Sequence, residues 1–162
     1  SGSSAGAITV MQAEYEIANK TSWTEVLPEG FNYAGVMSFA GAIFSHEGKV
    51  DFKTSPCPTL MLHGTADALV PYKQIAIFRL GFFGGGKLVE RFRKYDLNYN
   101  MYHFVDYGHE IAGSMDTTLD LQIRFLETNV MQGKKRIVEA WISDPDVYKG
   151  AGPQSRKEIY GN

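Results

Sequence analysis

Thr59-Leu60-Met61-Leu62-His63 is a run of five residues closed by Pro58 on one side and Gly64 on the other, the pattern of a buried strand. Tyr33 to Phe39 is a second short apolar run with small residues, and Tyr99 to Val105 a third, rich in aromatic and aliphatic side chains. Helical patterns lie between and after these runs. A strand, helix, strand alternation of this kind implies a parallel sheet flanked by helices, the α/β class.

The helical patterns are read from periodicity. Ile8, Met11, Tyr15 and Ala18 recur near the 3.6-residue period from the start of the chain. Residues 72–82 and 87–96 read as two helices separated by Gly84-Gly85-Gly86. Met115 to Val130 is the clearest amphipathic segment, with Leu119, Ile123, Leu126 and Val130 expected on the core face. Residues 20–32 and 45–58 read as loops. From Met131 the pattern weakens into Gly, Pro and Asp, so 1–130 is expected to form the domain and 131–162 a loosely structured extension.

Composition narrows the function classes. The 162 residues are 44% hydrophobic and 21% charged, enough apolar material for one domain with a core. A net charge of -2 and a pI near 6.1 argue against an electrostatic nucleic-acid binder. Lys87, Arg91, Arg93 and Lys94 read as a solvated helix face. No apolar run is long enough for a transmembrane helix, and no charged stretch followed by an apolar one suggests a targeting segment, so localisation stays open. The single cysteine, Cys57, reads as a buried structural thiol.

Chemistry enters with Gly2-Ser3-Ser4-Ala5-Gly6, which fits the G-x-S-x-G frame of a nucleophile elbow. A serine on a sharp strand-to-helix turn needs minimal side chains two residues to either side, and only Ser4 has glycine at both. The helix that follows would aim its N-terminal dipole and the Ala5 N–H at a developing oxyanion. His63-Gly64-Thr65-Ala66-Asp67-Ala68-Leu69-Val70-Pro71 places an acid just past a strand, and Tyr107-Gly108-His109 places a histidine just past the next one. Both belong to the edge where catalytic groups gather in open parallel sheets. Asp106 and Glu110 flank His109 as rival partners, while His63 and His103 read as packed strand residues. Gly81-Phe82-Phe83-Gly84-Gly85-Gly86-Lys87 imitates a phosphate loop, but Leu88 stands where Ser or Thr would bind Mg²⁺, and the segment reads as a helix–helix connection.

On these three motifs, spanning residues 2 to 109, the chain resembles the C-terminal half of bacterial carboxylesterase or lipase-like α/β-hydrolases. The resemblance implies Ser4 as nucleophile, Asp67 as the acid that orients the imidazole, His109 as general base and Ala5 as an oxyanion-hole donor. It implies hydrolysis of carboxylic esters with small acyl groups, acetyl esters of carbohydrate among them, through an acyl-enzyme. A serine peptidase of the prolyl-oligopeptidase type shares the order of residues, and a non-catalytic fragment or scaffold is the alternative from another class. His46 is a candidate for the substrate pocket. No cofactor and no metal are expected.

The resemblance also implies that the chain starts at the elbow, with the N-terminal strands and the His-Gly-Gly-type oxyanion loop missing. About three parallel strands would then remain, and activity would be impaired. The strand near 33–39 would expose an edge open to self-association or to pairing with the missing half.

Overall fold

The computed structural model describes residues 1–19, 26–46, 51, 53, 57–73, 75–77, 80–110 and 115–145. They form a mixed α/β structure around a five-stranded, all-parallel sheet. Its strands are β1 (Gly2–Ser3), β2 (Val36–Phe39), β4 (Thr59–Gly64), β7 (Tyr99–Phe104) and β8 (Val138–Ile142), in that spatial order. A second, antiparallel sheet of three strands contains β3 (Ala42–His46), β6 (Leu80–Gly84) and β5 (Ile75–Ile77). The helices are α1 (Ala5–Ala18), α2 (Gly85–Lys94) and α3 (Met115–Phe125), the last running on as a π-helical segment, Leu126–Met131. Among the described residues no helix is long and apolar enough to cross a membrane.

The three expected strands are present, and each lies beside the next in register: Phe39 opposite Leu62, and Gly64 opposite Phe104. All residues of β4 and β7 are buried, as a parallel strand covered on both faces requires. The pleat divides them between two cores. Met61, Tyr99 and Met101 face α1 and α2 with Met11, Tyr15, Leu88 and Phe92. Leu60, Leu62, Tyr102 and Phe104 face α3 with Leu121 and Phe125.

Several expectations are corrected. Part of the stretch 72–82, read as a helix, forms strand pairs instead: β5 and β6 pair with each other, and β6 pairs with β3. Short apolar runs do not distinguish strand from helix by pattern alone, and here the non-local partner decides. β3 also reaches Ser45 and His46, the first residues of the expected 45–58 loop. The expected loose tail supplies β8, which pairs with β7 from Asn100–Val138 to Phe104–Ile142. Residues 146–162 lie outside the described residues. The edge of β2 is covered by β1 at Ser38 and Phe39, so Ser4 does follow a short paired strand.

The face of α3 is corrected as well. Leu121 and Phe125 are buried, whereas Leu119, Ile123 and Leu126 are exposed at 53%, 43% and 38%. Of the expected stripe only Val130 packs against the core, while Leu121 and the Phe125 ring fill the rest of that face. The basic residues of α2 do lie on its solvent side, away from the buried Leu88, Val89 and Phe92, and each has a neighbour there. Lys87 pairs with Glu90, Arg93 with Glu139, and Arg91 and Lys94 lie over the rings of Phe83 and Tyr95. Gly84–Gly86 joins a strand to a helix rather than two helices. A Cβ at Gly84 would lie 1.8 Å from the Pro71 carbonyl oxygen, and one at Gly85 2.6 Å from His63 Nδ1, so glycine here permits close packing rather than phosphate binding. Cys57 is buried and donates to Glu14 Oε1 at 3.2 Å; burial first, then the neighbouring carboxylate, push its thiol pKa far up.

Candidate active site

Ser4 stands where β1 turns into α1, with φ 53° and ψ -121°. A positive φ is uncommon for a residue with a Cβ and costs about 1–3 kcal/mol. The turn is fixed by Ser4 N–H donating to the Phe39 carbonyl at 2.9 Å and by the Ser4 carbonyl accepting from Ile8 N–H at 3.0 Å. Serine at a helix N-cap ordinarily caps the helix with its hydroxyl. Ser4 makes no such bond, so its Oγ is not spent on the helix. Ala5, the first residue of α1, is exposed, and the leading N–H groups of a helix have no partner within it.

The two glycines of the frame differ. A Cβ at Gly2 would lie 2.3 Å from the Gly6 carbonyl oxygen, a backbone clash. A Cβ at Gly6 would meet nothing within 4 Å. The steric demand of the turn therefore falls on the glycine before the serine alone.

Asp67 lies in the turn after β4 and is 5% exposed. Its Oδ1 accepts from Leu69 N–H and Val70 N–H, both at 2.9 Å, and its Oδ2 accepts from His109 Nδ1 at 2.9 Å. A carboxylate accepting at Nδ1 places the histidine proton there, leaving Nε2 as the basic nitrogen. His109, in the turn after β7, keeps a side chain 19% exposed. Neither rival acid takes it: Asp106 and Glu110 are both exposed, and Asp106 N–H is bound by Thr65 Oγ1 at 2.8 Å.

The acid and histidine turns are joined by backbone. Ala66 N–H donates to the Tyr107 carbonyl at 2.9 Å and Thr65 N–H to the Phe104 carbonyl at 2.9 Å. Gly64 permits this approach, because a Cβ there would lie 2.2 Å from the Gly108 carbonyl oxygen.

His63 is more than a packed strand residue. Its Nε2 donates to the Val70 carbonyl at 2.8 Å and lies 3.3 Å from Asp67 Oδ2, which ties both ends of the acid turn to β4. Burial lowers its pKa more than the Val70 bond and the Asp67 charge raise it, so the ring is held neutral. Its role is legible from the sequence only as the residue before Gly64.

Ser4, Asp67 and His109 thus follow β1, β4 and β7 at one end of the parallel sheet. Asp67 and His109 are in contact. Ser4 is two strands from β4, roughly 10 Å at the usual spacing, and among the described residues no hydrogen bond joins its Oγ to His109. Backbone strain gathers at this end. Of the four non-glycine residues with positive φ among those described, Ser4, Ala40 and Asp106 follow β1, β2 and β7. His46, expected in the substrate pocket, ends β3 in the antiparallel sheet, and its side chain lies outside the described residues. Among the described residues no group of three or more side chains is assembled that could hold a metal ion. No protein-family model, curated protein or solved structure matches the chain.

Proposed function

We propose that the chain carries the catalytic machinery of a serine ester hydrolase of the α/β-hydrolase kind, acting on esters of small acyl groups. The observation that carries this reading is the part-buried Asp67–His109 hydrogen bond at 2.9 Å, at the same sheet end as the strained, uncapped Ser4. In the proposed cycle His109 Nε2 takes the Ser4 hydroxyl proton as Oγ attacks the ester carbonyl. Asp67 stabilises the imidazolium that results. The Ala5 N–H and the positive end of α1 face the oxyanion. The C–O bond to the alcohol then breaks, and the leaving oxygen takes the proton from His109. Water, deprotonated by His109, attacks the acyl-serine and frees the acid and Ser4.

A non-catalytic reading has one observation in its favour, the missing hydrogen bond between Ser4 and His109. Such bonds are often long before substrate binds, so the geometry at Asp67 carries more weight. Turnover of an aryl acetate, abolished by Ser4→Ala with the fold intact, is the expected result. Turnover untouched by that substitution, or confined to proline-containing peptides, contradicts an ester hydrolase.

A further inference from the structure

A cavity of about 450 Å³ opens on the α2 side of the sheet, beyond the acid turn. Tyr72, Lys73, Arg93, His103, Glu139 and Trp141 are among the residues that line it. None of them takes part in the chemistry proposed above. Its floor is a chain of polar contacts. The Tyr72 hydroxyl donates to His103 Nδ1 at 2.6 Å, His103 Nε2 donates to Glu139 Oε1 at 3.2 Å, and Arg93 grips Glu139 through both Nε and Nη2.

His103 and Glu139 are 0% and 2% exposed. Burial alone would raise the Glu139 pKa, but the bonds from His103 and Arg93 outweigh it and hold the carboxyl below its usual range, so it is charged. Burying a charged carboxylate against a histidine, with only a half-exposed Arg93 to balance it, seldom adds stability over apolar side chains of the same volume. The opposite face of the same three strands shows the apolar solution, with Leu62, Tyr102 and Ala140 in the neighbouring row. The fold does not need charged residues at this position, since the other face of the sheet does without them.

Trp141 forms a wall. It stacks on His103 with ring centroids 4.1 Å apart and an interplanar angle of 19°, yet it remains 44% exposed. One face of the indole is covered and the rest of the ring is open. Around it both hydrogen-bond types are on offer. The Tyr72 proton is committed to His103, which leaves its oxygen as an acceptor. Arg93 has N–H groups beyond those used by Glu139 and Tyr99, and Lys73 is exposed at the rim.

An aromatic plate beside mixed donors and acceptors suits a ring with apolar C–H faces and hydroxyls on its edge. An apolar ligand would leave the Tyr72 oxygen, the spare Arg93 N–H groups and Lys73 without partners, and a bare anion would leave the plate unused. We propose that this cavity binds a saccharide unit, with the sugar ring on Trp141 and its hydroxyls on Tyr72 and Arg93. The volume suits a small ligand of this kind. The cavity is joined to the acid turn: the Tyr72 ring packs edge-on against both His63 and His103, at 5.6 and 5.7 Å, and His63 contacts Asp67. The proposal does not depend on the ester hydrolase reading.

The test is titration of the full chain with xylotriose, cellotriose and trigalacturonate, followed by calorimetry and by the Trp141 indole N–H resonance, assigned with Trp141→Phe. Saturable binding of at least one sugar is expected, about tenfold weaker in Tyr72→Phe and in Trp141→Ala, the loss of one hydrogen bond or one stacked ring. Ser4→Ala should bind the sugar as the parent does, which separates this site from the catalytic one. No saturable shift with any of the three sugars overturns the proposal. So does an equal shift from inorganic phosphate, or affinity unchanged in both cavity variants when their thermal unfolding shows them folded.

Discussion

Asp67 and Ser4 stand at the same end of one sheet and are held in different ways. Asp67 is fixed on every side: two backbone N–H groups on Oδ1, His109 on Oδ2, and His63 bracing the turn from β4. Ser4 has a two-residue strand behind it, one bond to Phe39, one bond through its carbonyl to Ile8, and an unfavourable φ. The acid and histidine arrive preorganised by side chains. The serine is positioned by its backbone alone. A proposed hydrolase built this way should be sensitive to chemistry at the first site and to shape at the second.

The largest effect expected is at the acid. Asp67→Asn can keep the acceptor for Leu69 and Val70 while presenting an amide to His109, which favours the wrong tautomer. Aryl acetate turnover should fall about 10⁴-fold with little change in melting temperature. A small loss would mean that the well-held half is not the catalytic half.

Next comes the shape of the elbow. Gly2→Ala forces a Cβ onto the Gly6 backbone and should cost about 1–3 kcal/mol in denaturant unfolding, with turnover lost alongside.

The brace behind the acid gives a comparable but pH-dependent effect. The folded-state pKa of His63 lies below its ordinary 6.5, so the unfolded chain takes up the proton first. Stability is therefore full above about 6.5 and declines as pH falls below it. Glu139, also lowered, adds a second decline at more acid pH, once the pH falls towards its folded-state value. His63→Gln should melt lower at neutral pH, by about 1–3 kcal/mol for the lost buried bond, and should lack the first decline. A parent-like acid profile in that variant would remove His63 from the account.

The smallest effect has the opposite sign. Gly6→Ala meets nothing within 4 Å and sits inside α1, so it should stabilise the chain by about 0.5–1 kcal/mol. Destabilisation there would show that both glycines of the frame serve the turn.

What the sequence made legible follows the same division. β4 and β7 were readable because each is a buried run with clear punctuation, and Asp67 and His109 because each follows such a run directly. β8 is hard to read because Val138-Glu139-Ala140-Trp141-Ile142 is only five residues long and carries a charged residue, Glu139, within it. Glu139 belongs to the network that floors the cavity. β5 and β6 escape the sequence because the pairing of β6 with β3 is a long-range fact with no local signature. The equal claims of Gly2 and Gly6 also came from the motif, and only the backbone separates them. His63 could be placed on its strand but not given its partner, since Val70 comes within reach only after the acid turn closes.

In the proposed hydrolase Ser4 is activated by the Asp67–His109 pair. The most direct test of this activation is mass-spectrometric mapping of a fluorophosphonate adduct on the chain, with His109→Ala in parallel. A single adduct on Ser4 that disappears in His109→Ala is expected. An adduct on another serine, an adduct on Ser4 that persists without His109, or no adduct on a folded chain would contradict it.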